Sequence, residues 1–133
     1  MDCSVDGIPN SLQLALQIIF FMIVEDFLFH PFHRIMHWPR LYPHIHKLHH
    51  EHKITIAIGT FYFHPVEFCL FNIPSFAGPM ILGKNCHITT SLAWYALRVI
   101  EGIESHSGYE FSWSPFRIFP FAVDYAYHAY HHS

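Results

Sequence analysis

Charge is what this chain has least of. Asp, Glu, Lys and Arg make up 13% of its 133 residues, against about 25% in an average soluble domain. There is no basic run and the net charge is -3 with histidine neutral, which argues against nucleic acid as a partner. Cysteine is scarce as well. Cys3, Cys69 and Cys86 are odd in number and scattered, which argues against a disulfide framework and fits a reducing compartment. The amino-terminal MDCSVDGIPN is acidic and lacks the positive flank of a secretory signal, so cleavage is not expected. Nor is there a long uninterrupted apolar run: LQLALQIIFFMIV, Leu12 to Val24, is 13 residues, short of the roughly 20 that span a bilayer. Internal self-similarity is confined to two HxxHH boxes, too far apart for a solenoid repeat.

What the chain does have is apolar bulk and histidine. Apolar residues make up 52% and aromatic residues 18% of it, a composition that suits a membrane setting. Eight of its fourteen histidines fall within 23 residues, HPFHRIMHWPRLYPHIHKLHHEH from His30 to His52. Imidazole is the commonest protein ligand for metals and also titrates near neutral pH, so spacing must choose between metal binding and pH sensing. His33 and His37, as HRIMH, stand one helical turn apart on one face. His46, His49 and His50, as HKLHH, stand at i, i+3 and i+4, and His128, His131 and His132 repeat that spacing as HAYHH. A single histidine is more often a surface or hydrogen-bonded residue, but three boxes at ligand spacing favour metal. Eight imidazoles exceed the four or so of one tetrahedral zinc, so two metals are implied. Imidazole suits zinc, copper, iron and nickel. A structural zinc site usually includes Cys and the three cysteines lie outside the boxes, so a redox-active pair of irons fits best.

The order of segments predicts an all-α, helical integral membrane protein, a single domain over 1–133. Pro9, Asn10 and Ser11 read as a helix start, with Ser11 as the cap. The helix extended to Phe29 covers 18 residues and ends with Glu25 and Asp26 on it. Asp26, His30, His33 and His37 fall on one stripe, which makes Asp26 the candidate carboxylate for orienting a ligating imidazole through its other ring nitrogen. Pro31 is expected to kink this helix. WPRLYP, Trp38 to Pro43, reads as a connector to a helix carrying HIHKLHHEH, in which His44 and His52 lie outside the box pattern. Arg34, Arg40, Lys47 and Lys53 are four of the seven cations, and the positive-inside tendency puts the boxes on the cytosolic side. Ile54 to Phe63 could pass for a strand, but an irregular or interfacial segment suits a helical membrane protein better. HPVE, His64 to Glu67, restarts a helix with proline in its first position. Val66 to Leu82 and Cys86 to Ile100 then form a hairpin about the Gly83-Lys84-Asn85 turn. About 12–29 and 66–100 are therefore the expected membrane-embedded helices. Both ends of the hairpin lie on the same side, where His64 and EGIESHSGYEF can meet the boxes.

HRIMH, HKLHH and HAYHH match the three histidine boxes of the fatty acid hydroxylase and sterol desaturase superfamily of membrane non-haem di-iron enzymes. ED before the first box, HPVE after the second and RVIEGIESHSGYEF before the third make the chain most similar to the 4-methylsterol monooxygenases. The resemblance runs from about Leu12 to His132. It implies His33, His37, His46, His49, His50, His128, His131 and His132 as ligands of two iron ions, with His64 and His106 as additional ligands. It also implies electrons from NAD(P)H through cytochrome b5 or its reductase, a location in the endoplasmic reticulum membrane, and oxidation of the 4-methyl group of a sterol by dioxygen. Phe61, Phe63, Phe68, Trp94 and Tyr95 are candidate apolar walls that would exclude water. The same boxes serve fatty acid or sphingolipid hydroxylases and sterol desaturases. Three departures stand out: Tyr127 replaces a common histidine, Ala129 replaces a usual acid, and Ile54 to Phe63 matches poorly. Relatives continue past the position of Ser133 through an NY pair and a final helix, so the chain reads as truncated, and an inactive membrane metal-binding protein is the alternative to an enzyme.

Overall fold

A computed structural model describes residues 1–52, 56–117, 128, 130 and 131. Three α-helices dominate: α1, Ser11–Met36; α2, Pro65–Leu82; and α3, Ile88–His106. Short 3-10 turns cover Val5–Gly7, His49–Glu51, Ala57–Phe61, Gly83–Asn85 and Pro115–Arg117. The described residues contain no strand, so the all-α expectation holds for them; the sole extended pairing is an isolated bridge between Asp2 and His87. The chain divides into two compact units, Met1–Ile35 with Cys69–Arg98 and Met36–Phe68 with Val99–Ser133.

In the first unit α1 begins one residue earlier in logic than its sequence suggested. Asn10, not Ser11, is the cap: its Oδ1 accepts the Gln13 N–H at 2.9 Å, and Gln13 Oε1 accepts the Asn10 N–H at 3.1 Å. Both bonds satisfy amides that a helix start leaves without partners. The helix then continues through Pro31 to Met36, a length of about 39 Å at 1.5 Å per residue. α1, and α2 taken on to Asn85, are long and apolar enough to cross a membrane; α3, which carries Arg98, Glu101 and Glu104, is not among the helices meeting that test. Leu12, Leu16, Ile19, Ile23 and Phe27 leave an exposed apolar stripe along α1, spaced by three and four residues as one helical face requires.

The core of this unit is Phe21, Cys86 and Trp94, with the Phe21 and Trp94 rings 5.9 Å apart and tilted by 60°. Gly78 of α2 lets the backbone come close here: a Cβ on it would stand 2.5 Å from Phe21 Cδ1 and 3.0 Å from Phe21 Cα. Two of the polar groups that enter it, on Trp94 and Glu25, are satisfied. Trp94 Nε1–H donates to the Ser75 carbonyl at 2.8 Å, and the buried Glu25 carboxylate accepts the Ser75 hydroxyl at 2.5 Å and pairs with Arg98 Nε at 2.7 Å. One carboxylate thus ties together a residue from each of the three helices. Arg98 also lies over the Trp94 ring, 5.8 Å from its centroid.

The second unit contains most of the imidazoles. Residues 38–48 are consecutive turns, closed by Leu41 and Tyr42 N–H donating to the Trp38 carbonyl at 2.8 and 2.9 Å and by His46 and Lys47 N–H donating to the Tyr42 carbonyl at 3.2 and 2.8 Å. The second box was expected on a regular helix; it stands on these turns and the His49–Glu51 3-10 turn instead. The turns run on from WPRLYP, where Pro39 and Pro43 lack the N–H groups that a helix continuing from α1 would use. The segment after it is helical in the short 3-10 form at Ala57–Phe61. Thr60 is buried against α3 where Gly102 has no side chain, its Oγ1 2.6 Å from where a Cβ would be.

Candidate metal centre

The turns after Trp38 keep bonds of the i+3 and i+4 kind: His49 and His50 N–H both donate to the His46 carbonyl, at 3.1 and 3.4 Å. That preserves the register that brings His46, His49 and His50 together without a full helix. Around them, the second unit assembles two adjacent groups of imidazoles.

His37, His46, His50 and His131 form the first. His46 Nε2 lies 2.9 Å from His37 Nε2 and 3.0 Å from His50 Nε2, and His37 Nε2 lies 3.0 Å from His131 Nε2. On its other side His46 Nδ1–H donates to Glu67 Oε1 at 2.5 Å, with both side chains fully buried. That bond fixes the tautomer and turns the His46 Nε2 lone pair inward. Tyr42 packs on the rings of His37, His46 and His50.

His49, His106 and His128 form the second group, with ligand atoms within 4.8 Å of one another. His106 Nε2 lies 2.9 Å from His128 Nε2, and His106 Nδ1–H donates to the Gly102 carbonyl one turn back at 2.9 Å, again leaving the inner nitrogen to face its neighbours. Phe63 stacks on His49, ring centroids 4.7 Å apart. The two groups touch: His46 and His49 stack at 5.7 Å, and His49 lies 5.6 Å from His50.

This donor set fits a pair of cations. One lone pair on His46 Nε2 cannot accept along two directions at once, yet two ring nitrogens approach it to hydrogen-bond distance; a cation among them would engage every lone pair together. All-nitrogen coordination suits zinc, copper, iron or nickel. The electrostatics keep the rings ready for it. Burial, with electrostatic interaction with the neighbouring His46 and then His131, pushes His37 down to about 4, and burial followed by His46 lowers His131. Burial likewise lowers His106, against an opposing contribution from the Gly102 carbonyl. A depressed imidazole is neutral at physiological pH and keeps its ligating lone pair.

Of the residues singled out in the sequence, His37, His46, His49, His50, His106, His128 and His131 come together in these two groups. His33 is in the first unit, on α1, stacked on Phe71 at 5.8 Å and near Phe29 at 5.4 Å. His64 is in neither group: it heads α2, where its Nδ1 accepts the Val66 N–H at 3.3 Å and its carbonyl accepts the Phe68 N–H at 3.0 Å. His132 lies outside the described residues, as do Tyr127 and Ala129. Asp26 pairs with His30 at 3.1 Å, but the His30 side chain is 62% exposed and belongs to neither group, so this carboxylate orients a surface ring. Glu67, which the sequence reading passed over as part of a helix start, has the contact expected of Asp26. Its signal was an acid in the first turn of an apolar helix, three residues after a histidine. Of the proposed walls, Phe63 lies on the imidazoles, Trp94 and Tyr95 are packed in the first unit, where Tyr95 stacks on Phe76, and Phe61 and Phe68 are exposed. His44 and His52, outside the box pattern, are exposed.

The family model described as fatty acid hydroxylase matches residues 18–133. Among curated proteins, the chain is 38% identical over 125 residues to a very-long-chain aldehyde decarbonylase of Oryza sativa subsp. indica, covering 94% of this chain and 46% of that protein. It is 36% identical over 125 residues to methylsterol monooxygenase 2-2 of Arabidopsis thaliana, at the same two coverages, and 38% identical to methylsterol monooxygenase 1-1 of that plant, covering 94% of this chain and 41% of the relative. The chain thus spans a little under half the length of these relatives. No solved structure matches it.

Proposed function

The chain belongs to the fatty acid hydroxylase family, and from that membership we propose that it carries the metal-binding part of a membrane di-iron oxygenase of lipid biosynthesis, with the 4-methyl group of a sterol as its target. The observation that supports this most is the convergence of seven imidazoles into two touching groups, each with an inner nitrogen oriented by a bond on the far side of the ring. His37, His46, His50 and His131 would hold one iron and His49, His106 and His128 the other. His33 and His132 join the ligand set from their place in the boxes. Bound iron would supply the redox chemistry that activates dioxygen. The protein's part is to hold the ring nitrogens in place, to keep them unprotonated through burial, and to exclude water with apolar rings such as Phe63 beside His49.

The exposed apolar stripe of α1 suits lipid contact. Arg34, Arg40, Lys47 and Lys53, interspersed with the first two boxes, favour a cytosolic side for the metal centre, in the endoplasmic reticulum membrane, with NAD(P)H electrons arriving through cytochrome b5. A long-chain aldehyde is the second substrate reading, favoured by the equal identity to the aldehyde decarbonylase.

The test feeds labelled 4-methyl sterol, fatty acid and long-chain aldehyde to iron-loaded protein with NAD(P)H, reductase, cytochrome b5 and oxygen-18 dioxygen. It is run on this chain and on a version lengthened with the carboxy-terminal segment of a methylsterol monooxygenase. Oxygen-18 in the sterol 4-methyl carbon is the expected result. Product from the aldehyde alone would replace the substrate, and iron binding without turnover in either version would leave a metal-binding protein in place of an enzyme.

A further inference from the structure

The two imidazole groups are oriented by acceptors of different charge. In the first, His46 Nδ1–H meets a carboxylate oxygen of Glu67 at 2.5 Å, and neither side chain is exposed to solvent. In the second, His106 Nδ1–H meets the neutral Gly102 carbonyl at 2.9 Å, a bond internal to α3. Both bonds aim a ring, but they differ in what they do to the ring's electrons. A carboxylate draws the Nδ1 proton toward itself and makes Nε2 a stronger donor. It also brings a negative charge within one ring's width of the ligand point, where solvent exclusion leaves Coulomb attraction poorly screened. A carbonyl contributes only its dipole.

Glu67 is held for this role. It is the third residue of α2, in the first turn after Pro65, where the helix dipole favours an anion. On the opposite side, the His46 backbone is tied to Tyr42 and the Tyr42 ring packs on three of the four imidazoles.

We propose that the two metal positions are inequivalent: the one bounded by His37, His46, His50 and His131 fills first and holds its ion more tightly, and Glu67 is the positioning residue that makes it so. This rests on the reading of both groups as metal sites. It concerns the order and strength of loading, which that reading leaves open.

The experiment titrates Co2+ into the metal-free full chain in detergent, following the visible ligand-field absorption. The expected result is two steps, the first tighter. Glu67→Gln keeps the shape and an oxygen that can accept from Nδ1 but removes the charge, so it should weaken the first step by about 10- to 100-fold, shift the spectrum at one equivalent, and leave the second step in place. Should that variant not fold, His106→Ala and His46→Ala decide the question: the site surviving in His106→Ala should be the tighter one, and the site surviving in His46→Ala the weaker. Two wild-type steps of equal affinity, an equal shift of both steps in Glu67→Gln, or the reverse ranking of the two alanine variants would overturn the inequivalence while leaving two metal sites standing. A wild-type chain that takes up no Co2+ would overturn the metal-site reading itself.

Discussion

Removing Arg98 should cost more stability than removing Glu25, although the two form one ion pair. Glu25 Oε2 and Arg98 Nε are 2.7 Å apart, but the side chains are 5% and 26% exposed. In Arg98→Met the carboxylate stays buried with the Ser75 hydroxyl still donating to it, and a buried charge that loses its ion-pair partner costs about 3 to 5 kcal/mol. In Glu25→Met the guanidinium keeps the Trp94 face and, being 26% exposed, can turn toward solvent, so the loss falls to the order of 1 kcal/mol that partly exposed pairs contribute. With both replaced by methionine no charge is stranded and two flexible apolar chains fill the space, so the double variant should recover most of the Arg98→Met loss. The assay is denaturant unfolding of wild type, both single variants and the double variant in one detergent, followed by tryptophan fluorescence. Equal losses in the two single variants, or a double variant as unstable as the sum of both, would show that the pair is not screened in the way its exposure implies.

Two further outcomes follow from the same geometry. His131→Ala and His49→Ala should each lower bound metal per chain, while His44→Ala, which alters an exposed ring, should leave it unchanged; elemental analysis of purified protein checks this, and equal loss in all three would undo the ligand assignment. Gly78→Val should destabilise by about 1 to 3 kcal/mol, the usual cost of overpacking, because the new Cβ would meet both the ring and the backbone of Phe21; unfolding at wild-type denaturant concentration would contradict that close approach.

The boxes were legible because the spacing of their imidazoles survives changes in backbone form. His46, His49 and His50 converge on turns as they would on a helix, since turns of the i+3 and i+4 kind share the register. The backbone form was not legible, because nothing within HIHKLHHEH itself separates a regular helix from successive turns. Glu25 and Asp26 mark a different limit. Neighbours on a helix point about 100° apart, and periodicity with the histidines favoured Asp26; yet it is Glu25 that faces the interior, selected by Arg98 and Ser75 on other helices. Glu67 escaped for the same reason, its partner being 21 residues away in sequence. The cap was misplaced by a single residue because Asn10 and Ser11 are both good capping side chains, and only the reciprocal Gln13 bond separates them.

The junction of Glu25, Ser75 and Arg98 has a consequence for the order in which the polypeptide is made. A nascent chain emerges from its amino end, so α1 appears with its acid long before the arginine that neutralises it, and the serine of α2 comes in between. Until ribosomal synthesis has reached position 98, α1 carries a charge that an apolar environment would reject. The contact that ties residues of the three helices together through Glu25 can therefore close only after residue 98 has been made.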